Sequence, residues 1–283
     1  MEFPLKRSQP DHSRPMSTVT IDRKAPFSLP RFLAGDGRWI SPLVLLAVWE
    51  LGSRLGLISP RILAAPSAVM GALWSMILSG ELLSNLAVSL ARSGAGLGIG
   101  IVVGSGLALI AGLSKVGETA VDPLLQIKRM IPILALTPLL IVWFGIGETP
   151  KVLLIFIGVV FPIYLNLFSG IRNVDVRLLE AGRSFGLSRW EQIVHIILPG
   201  AMPGFIVGLR FATGGAIMLL VAAEQINSSA GIGHLVNDAR DFMRTDIIVV
   251  CLLVYATLGL TADLAVRTLE GRLLRWRPSL INA

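Results

Sequence analysis

Charge is what this sequence has least of. Only 15% of its 283 residues are Asp, Glu, Lys or Arg, where a soluble domain carries about 25%. Hydrophobic residues make up 53% and the mean hydropathy is +0.73. A soluble core rarely grows past about 250–300 residues, and so apolar a chain does not stay disordered. Cysteine is nearly absent: Cys251 stands alone in IIVVCLLVY, which excludes a disulfide framework. The three histidines, His12, His195 and His234, lie far apart with no HExxH or Cys/His spacing, which argues against a metal site. None of the five lysines stands in a G-x-x-x-x-G-K-[ST] loop, so the chain has no P-loop for ATP. No G-x-S-x-G elbow occurs, and no Gly-X-Y period or long uninterrupted heptad run. What remains is an all-α, polytopic membrane protein.

Residues 1–38 are polar and Pro-rich, with seven basic residues, and read as a flexible cytoplasmic tail rather than a signal peptide. Six segments are apolar enough to cross about 30 Å of hydrocarbon: roughly 39–58, 93–113, 130–147, 152–171, 199–223 and 247–266. A seventh, 62–80, is weakened by Pro66 and its serines. Charge decides its status. With six spans and the N-terminus inside, 18 basic residues fall on the cytoplasmic side. They include Lys115, Lys128 and Arg129 in 114–129, four arginines in 172–195 and four in 267–283. Outside stand only Arg61, Lys151, Arg240 and Arg244. Making 62–80 a span would invert every later loop, so the positive-inside rule selects six. The segment 62–80 then reads as an interfacial helix on the outer face. The net charge of +7 is thus topology rather than a nucleic-acid footprint.

The second span carries Gly96-x-x-x-Gly100, a small-xxx-small seam that lets helices approach closely. Pro132, Pro138, Pro162, Pro199 and Pro203 recur in or beside spans, which membrane helices tolerate where neighbours re-satisfy the backbone. Acidic residues in spans are confined to Glu50 and Asp263. Proton- or sodium-coupled carriers place acids or histidines at mid-membrane, so this scarcity argues against an ion-coupled secondary transporter. Arg92 and Arg210 are the span cations that would help an anion pass; snorkelling or an interhelical ion pair is the other reading of each. Gly231, Gly233 and Asn237 in the outer loop suit either a gate or receptor contact, or a plain turn before an interfacial helix.

The loop after the fourth span reads DVRLLEAGRSFGLSRWEQIVHIILPG. It predicts an amphipathic helix, a turn at Gly186, and a second helix capped by Ser188 with Glu191 three residues on. Pro199 suits the first turn of the next span. The order Glu180-Ala181-x-x-x-x-Gly186, nine residues, then Ile196-x-Leu198-Pro199 resembles the signature of ATP-binding-cassette importer permeases. Gly182 departs from it, since the family usually has Ala there. The stretches PILALTPLLIVWFGIGETPK, FPIYLNLFSGIRNVD and AEQINSSAGIGHLVNDARDFMRTD resemble the branch of that family for aliphatic sulfonates, taurine and nitrate, sulfonate members above all.

The resemblance implies a type I importer permease fold over 39–277, with a coupling loop at 172–198 and a short tail at 278–283. Glu180, Ala181, Gly182, Arg183, Phe185, Gly186, Leu187, Ile196, Leu198 and Pro199 would form the coupling element. Glu180 and Arg183 would be its polar contacts, and Phe185 and Leu187 its apolar knobs. It implies as partners ATPase subunits that bind ATP and Mg, a periplasmic binding protein, and a second permease copy in the lipid bilayer. It implies no cofactor or catalytic residue in this chain, and a bacterial inner membrane location with both termini cytoplasmic. Nitrate or taurine import and, in a different class, ion-coupled secondary transport are the competing functions.

Overall fold

The computed structural model describes residues 40–226 and 228–276; the expected tails, His12 and Arg277 lie outside them. The described residues are helical, with no strand among them. They fall into two units, the first ending at Val48 and the second running from Trp49.

Helix α1, Ile40–Arg54, crosses that boundary. It ends earlier than the sequence suggested, turning at Gly56 with φ 72°. Its 15 residues span only about 22 Å at 1.5 Å per residue. The short apolar helix α2, Pro66–Leu78, starts on a proline that needs no N–H partner at that position. It buries Val69, Ala72 and Met76 against the bundle.

Among the described residues, four helices are long and apolar enough to cross a membrane. The first is α3, Glu81–Leu113. The bent segment of α4, Lys115–Met130, and α5, Thr137–Phe144, follows, joined by a 3-10 turn at Ile133–Leu136. Next come α6, Glu148–Arg172, and α7, Val176–Ser184. Helix α8, Arg189–Gln192, passes through a π turn at Ile193–Ile197 into α9, Leu198–Glu224. This continuous run, 189–224, is the third long helix after α3 and α6. Helix α10, Ile232–Asp241, leads to the fourth, α11, Thr245–Leu273.

The glycine seam sets the α3–α6 register. A Cβ at Gly96 would lie 2.7 Å from Ile155, and one at Gly104 2.8 Å from the Val160 carbonyl. Gly100 faces Val159 and Gly112 faces Ile171. The pairing advances in step, so the two helices run parallel with glycine backbones against branched side chains. Helix α9 packs antiparallel on α6, Gly204 and Gly208 facing Asn166 and Pro162.

The third span differs from the sequence expectation. The sequence placed a cytoplasmic loop at 114–129 and one helix at 130–147. Instead α4 and the 133–144 segment are long and apolar enough to cross only as a pair, bent by 91°. Helix α4 escaped because its polar residues depress the local hydropathy. It buries few residues, Gly117 and Leu125, and meets its polar needs on α6. Arg172 pairs with Glu118, and Tyr164 donates to Asp122 at 2.9 Å. Lys128 donates to the Ile157 carbonyl. As α4 advances its partners on α6 recede, so α4 climbs antiparallel to α6 from the Arg172 end. Among the described residues the span candidates by length and composition number four, or five with the bent pair.

Candidate functional site

Three places gather polar chemistry. The first is the hairpin α7–α8. Asp175 caps α7 by accepting from the Arg177 amide at 2.9 Å. Gly186 ends it at φ 82°, in the left-handed region. The Leu187 amide reaches back to the Gly182 carbonyl and the Gly186 amide to Arg183, a Schellman stop that favours glycine. Ser188 and Glu191 form the expected capping box, with bonds of 3.3 Å and 2.7 Å. The π turn then lets the Leu198 amide bond the Ile193 carbonyl, and Pro199, which has no N–H, follows it.

Within the hairpin the candidate residues divide by face. Gly182 is buried, and a Cβ there would lie 2.8 Å from Ile196 Cδ1 and 3.2 Å from Leu187 Cδ1. Leu187 and Ile196 therefore pack inward on Gly182, which holds the two helices together; Leu187 is half-buried rather than a projecting knob. Leu198 is half-buried as well, while Pro199 is exposed. Glu180, Ala181, Arg183 and Gly186 are exposed. Phe185 is 87% exposed and Trp190 71%, two aromatic side chains on a short, rigid element. An exposed apolar patch of this kind marks an interaction surface.

The second place is a buried charge cluster where α3, α6, α9 and α11 meet residues 228–231 and the start of α10. Arg92 is 3% exposed and Glu224 0%. Arg92 Nη1 donates to Glu224 Oε1 at 2.7 Å and to the Ala230 carbonyl at 2.7 Å. Its Nη2 meets Glu148 at 2.7 Å, and Nε also reaches Glu148. Lys151, also buried, donates to Ser228 at 3.1 Å and Glu148 at 3.4 Å. Glu224 accepts further bonds from Ser89 Oγ at 2.6 Å, the Gly233 amide at 3.0 Å and Tyr255 at 3.1 Å. The buried charges Arg92, Lys151 and Glu224 are balanced with the help of the more exposed Glu148, since buried charges require partners.

The outer-loop candidates sit on this cluster. Gly231, φ 104°, leaves no room for a Cβ between Glu224 and Arg92, and Gly233 lies against the Glu224 backbone. Asn237 donates to the Gln225 carbonyl at 3.2 Å. Arg92 is thus an interhelical tie. Arg210, on α9, is tied as well: it meets Glu270 at 2.9 Å and Asp263 at 3.5 Å, both on α11. The sequence reading singled out neither Glu224, Glu148 nor Tyr255. The available signal was complementary: Arg92 and Glu224 are lone opposite charges at the margins of two apolar runs.

The third place is the break between α4 and the 133–136 turn. Ile157, the acceptor for Lys128, is nine residues from Glu148 and fifteen from Arg172 along α6. At 1.5 Å per residue those are about 14 Å and 22 Å from the ends. Lys128 therefore sits near mid-span rather than in a cytoplasmic loop. Its neighbour Arg129 is exposed, its guanidinium 5.7 Å from the centre of the Phe161 ring. An arginine or lysine at the centre of a span costs about 2.5–3.5 kcal/mol on insertion scales, so such residues face water or protein rather than lipid.

Comparison with known proteins adds three findings. Residues 96–275 match the family described as binding-protein-dependent transport system inner membrane component. The chain is 46% identical over 241 residues to the putative aliphatic sulfonates transport permease protein SsuC of Escherichia coli (strain K12), covering 85% of this chain and 92% of that one. It is 40% identical to the Bacillus subtilis (strain 168) protein of the same description, over 84% and 86%. Identity to the taurine transport system permease protein TauC of Escherichia coli (strain K12) is 35%, over 82% and 86%. In fold it is similar to a chain from the crystal structure of an amino acid ABC transporter with histidines. The TM-score is 0.59 at 20% identity, covering 71% of this chain and 98% of that one.

Proposed function

This chain belongs to the family of binding-protein-dependent transport system inner membrane components, as a permease subunit of an ABC importer, and on that premise we propose that it forms the path by which aliphatic sulfonates enter the cell. The observation that carries the substrate is the gradient of likeness. Identity is 46% and 40% to two permeases named for aliphatic sulfonates and 35% to one named for taurine.

The α7–α8 hairpin supplies the mechanical part. In this reading, Phe185 and Trp190, with Glu180 and Arg183 beside them, dock on a separate ATPase subunit that binds ATP and Mg. Because α8 continues through the π turn into α9, movement of the docked hairpin passes into a spanning helix instead of being absorbed by a loop. Two permease copies, two ATPase subunits and a periplasmic binding protein complete the machine in the inner membrane, with both termini on the cytoplasmic side. The binding protein sets most of the substrate selectivity.

Deletion of this gene tests the proposal. Growth on ethanesulfonate as sole sulfur source is expected to fail and growth on sulfate to persist. Normal growth on ethanesulfonate but not on taurine would transfer the substrate to taurine. Uptake that persists without the ATPase and follows an ion gradient would replace the importer reading with secondary transport. In the intact system, Glu180→Ala or Gly186→Glu is expected to abolish uptake while the subunit still reaches the membrane.

A further inference from the structure

The sequence assigned Lys128 and Arg129 to topology, as part of the positive-inside count, and the proposed function leaves them without a role. We infer that they form a cationic step in the translocation path, where the sulfonate headgroup is held in transit. This inference rests on the reading of the chain as a sulfonate permease.

Depth comes first. Lys128 lies against Ile157, near the middle of α6, and Arg129 stands beside Phe161 one turn further along. Pairing comes second. Arg92 and Arg210 are each bridged by two carboxylates. No ion pair among the described residues includes Lys128 or Arg129. Lys128 donates only to a neutral backbone carbonyl, and Arg129 rests over an aromatic face. A sulfonate oxygen would replace both contacts with a bond to a group of full opposite charge. Surroundings come third. The two residues immediately precede the 91° break, and Ile127, Met130 and Leu134 are exposed beside them. An anionic head on an alkyl tail matches a cation pair flanked by apolar side chains.

A site along a path must hold its passenger strongly enough to admit it and weakly enough to let it leave. Cations already locked in carboxylate pairs, such as Arg92, offer an anion little. Cations with no carboxylate at mid-span repel other cations and give a transient stop to an anion.

The test uses the complete transporter, this permease with its ATPase and binding protein, in proteoliposomes loaded with ATP and supplied with radiolabelled ethanesulfonate. Wild type is expected to accumulate the label. Lys128→Met combined with Arg129→Gln is expected to lower uptake about tenfold or more, because both cations that would hold the headgroup are gone. ATP hydrolysis stimulated by the loaded binding protein should stay near the wild-type rate, and Lys128→Arg with Arg129→Lys should recover most uptake. A thiol probe gives a second readout: Arg129→Cys should react with a charged, membrane-impermeant thiosulfonate, whereas the buried Cys251 should not. Wild-type uptake in the charge-free variant would overturn the inference. So would hydrolysis falling in step with uptake, an Arg129→Cys thiol that stays unreactive, or a variant complex that separates into single permease copies. Absence of uptake by wild type would instead bring down the sulfonate reading, and this inference with it.

Discussion

Glu224 has no exposed surface, and its two carboxylate oxygens take four donors: two from α3, one from α11 and one from the 231–233 segment. Breaking such a buried pair by removing one partner leaves the other charge uncompensated, which costs about 3–5 kcal/mol. Glu224→Gln and Arg92→Ala should each lower the thermal midpoint of the detergent-solubilised subunit, measured by fluorescence-detected size exclusion. Replacing both at once with Met and Leu should cost less than the sum of the two, because no lone charge remains. Gly231→Ala should behave like a cluster mutation, since its left-handed backbone and the two charged neighbours both reject a Cβ. Gly182→Ala should be nearly silent. The atom it meets is the flexible tip of Ile196, and Ala regains about 1 kcal/mol of helix propensity over Gly.

Helices α3 and α6 meet through glycines on one and branched side chains on the other. The seam includes Gly96 and Gly100, as the small-xxx-small spacing suggested, and continues to Gly104 and Gly112. Not every glycine of α3 takes part: Gly94, Gly98 and Gly106 have open space where a Cβ would go. Gly104→Ala should destabilise the bundle, because the atom in its way is the Val160 carbonyl, a backbone group that cannot turn aside. Gly98→Ala should be neutral or slightly stabilising, through helix propensity alone. Comparing the two variants' thermal midpoints separates packing from propensity. Helix α4 makes the opposite point. Its Asp122, Lys128 and Glu118 read as loop residues by hydropathy, yet each is met by a group on α6.

The coupling of the parts depends on continuity. The run from Arg189 to Glu224 joins the exposed hairpin at one end to Glu224, inside the buried charge cluster, at the other. In the proposed mechanism a push on Phe185 or Trp190 would pass to α9 and, through Glu224, to the 231–233 segment. Inserting Gly-Gly between Gln192 and Ile193 should uncouple the machine. ATP hydrolysis should continue in the reconstituted complex while uptake falls, because two glycines replace a stiff joint with a soft one. Uptake at the wild-type rate after that insertion would show that the hairpin transmits nothing through α8.

Most of the architecture and the hairpin were legible in the sequence because they are written in local signals. Long apolar runs identify spans since the bilayer demands about 20 such residues. Asp175, Ser188, Glu191 and Gly186 act within a few residues of themselves, so caps and stops can be read in order. The family signature is likewise a matter of spacing along the chain. Tertiary structure alone decided which charges are spent and which are free. Arg92 finds Glu224 across 132 positions, and Lys128 finds Ile157 across 29. A hydropathy window sees each charge only among its chain neighbours, whereas its energy is set by what packing places a few ångströms away. For that reason the sequence sorted Lys128 and Arg129 into a cytoplasmic loop, and only the fold brought them to the middle of the span.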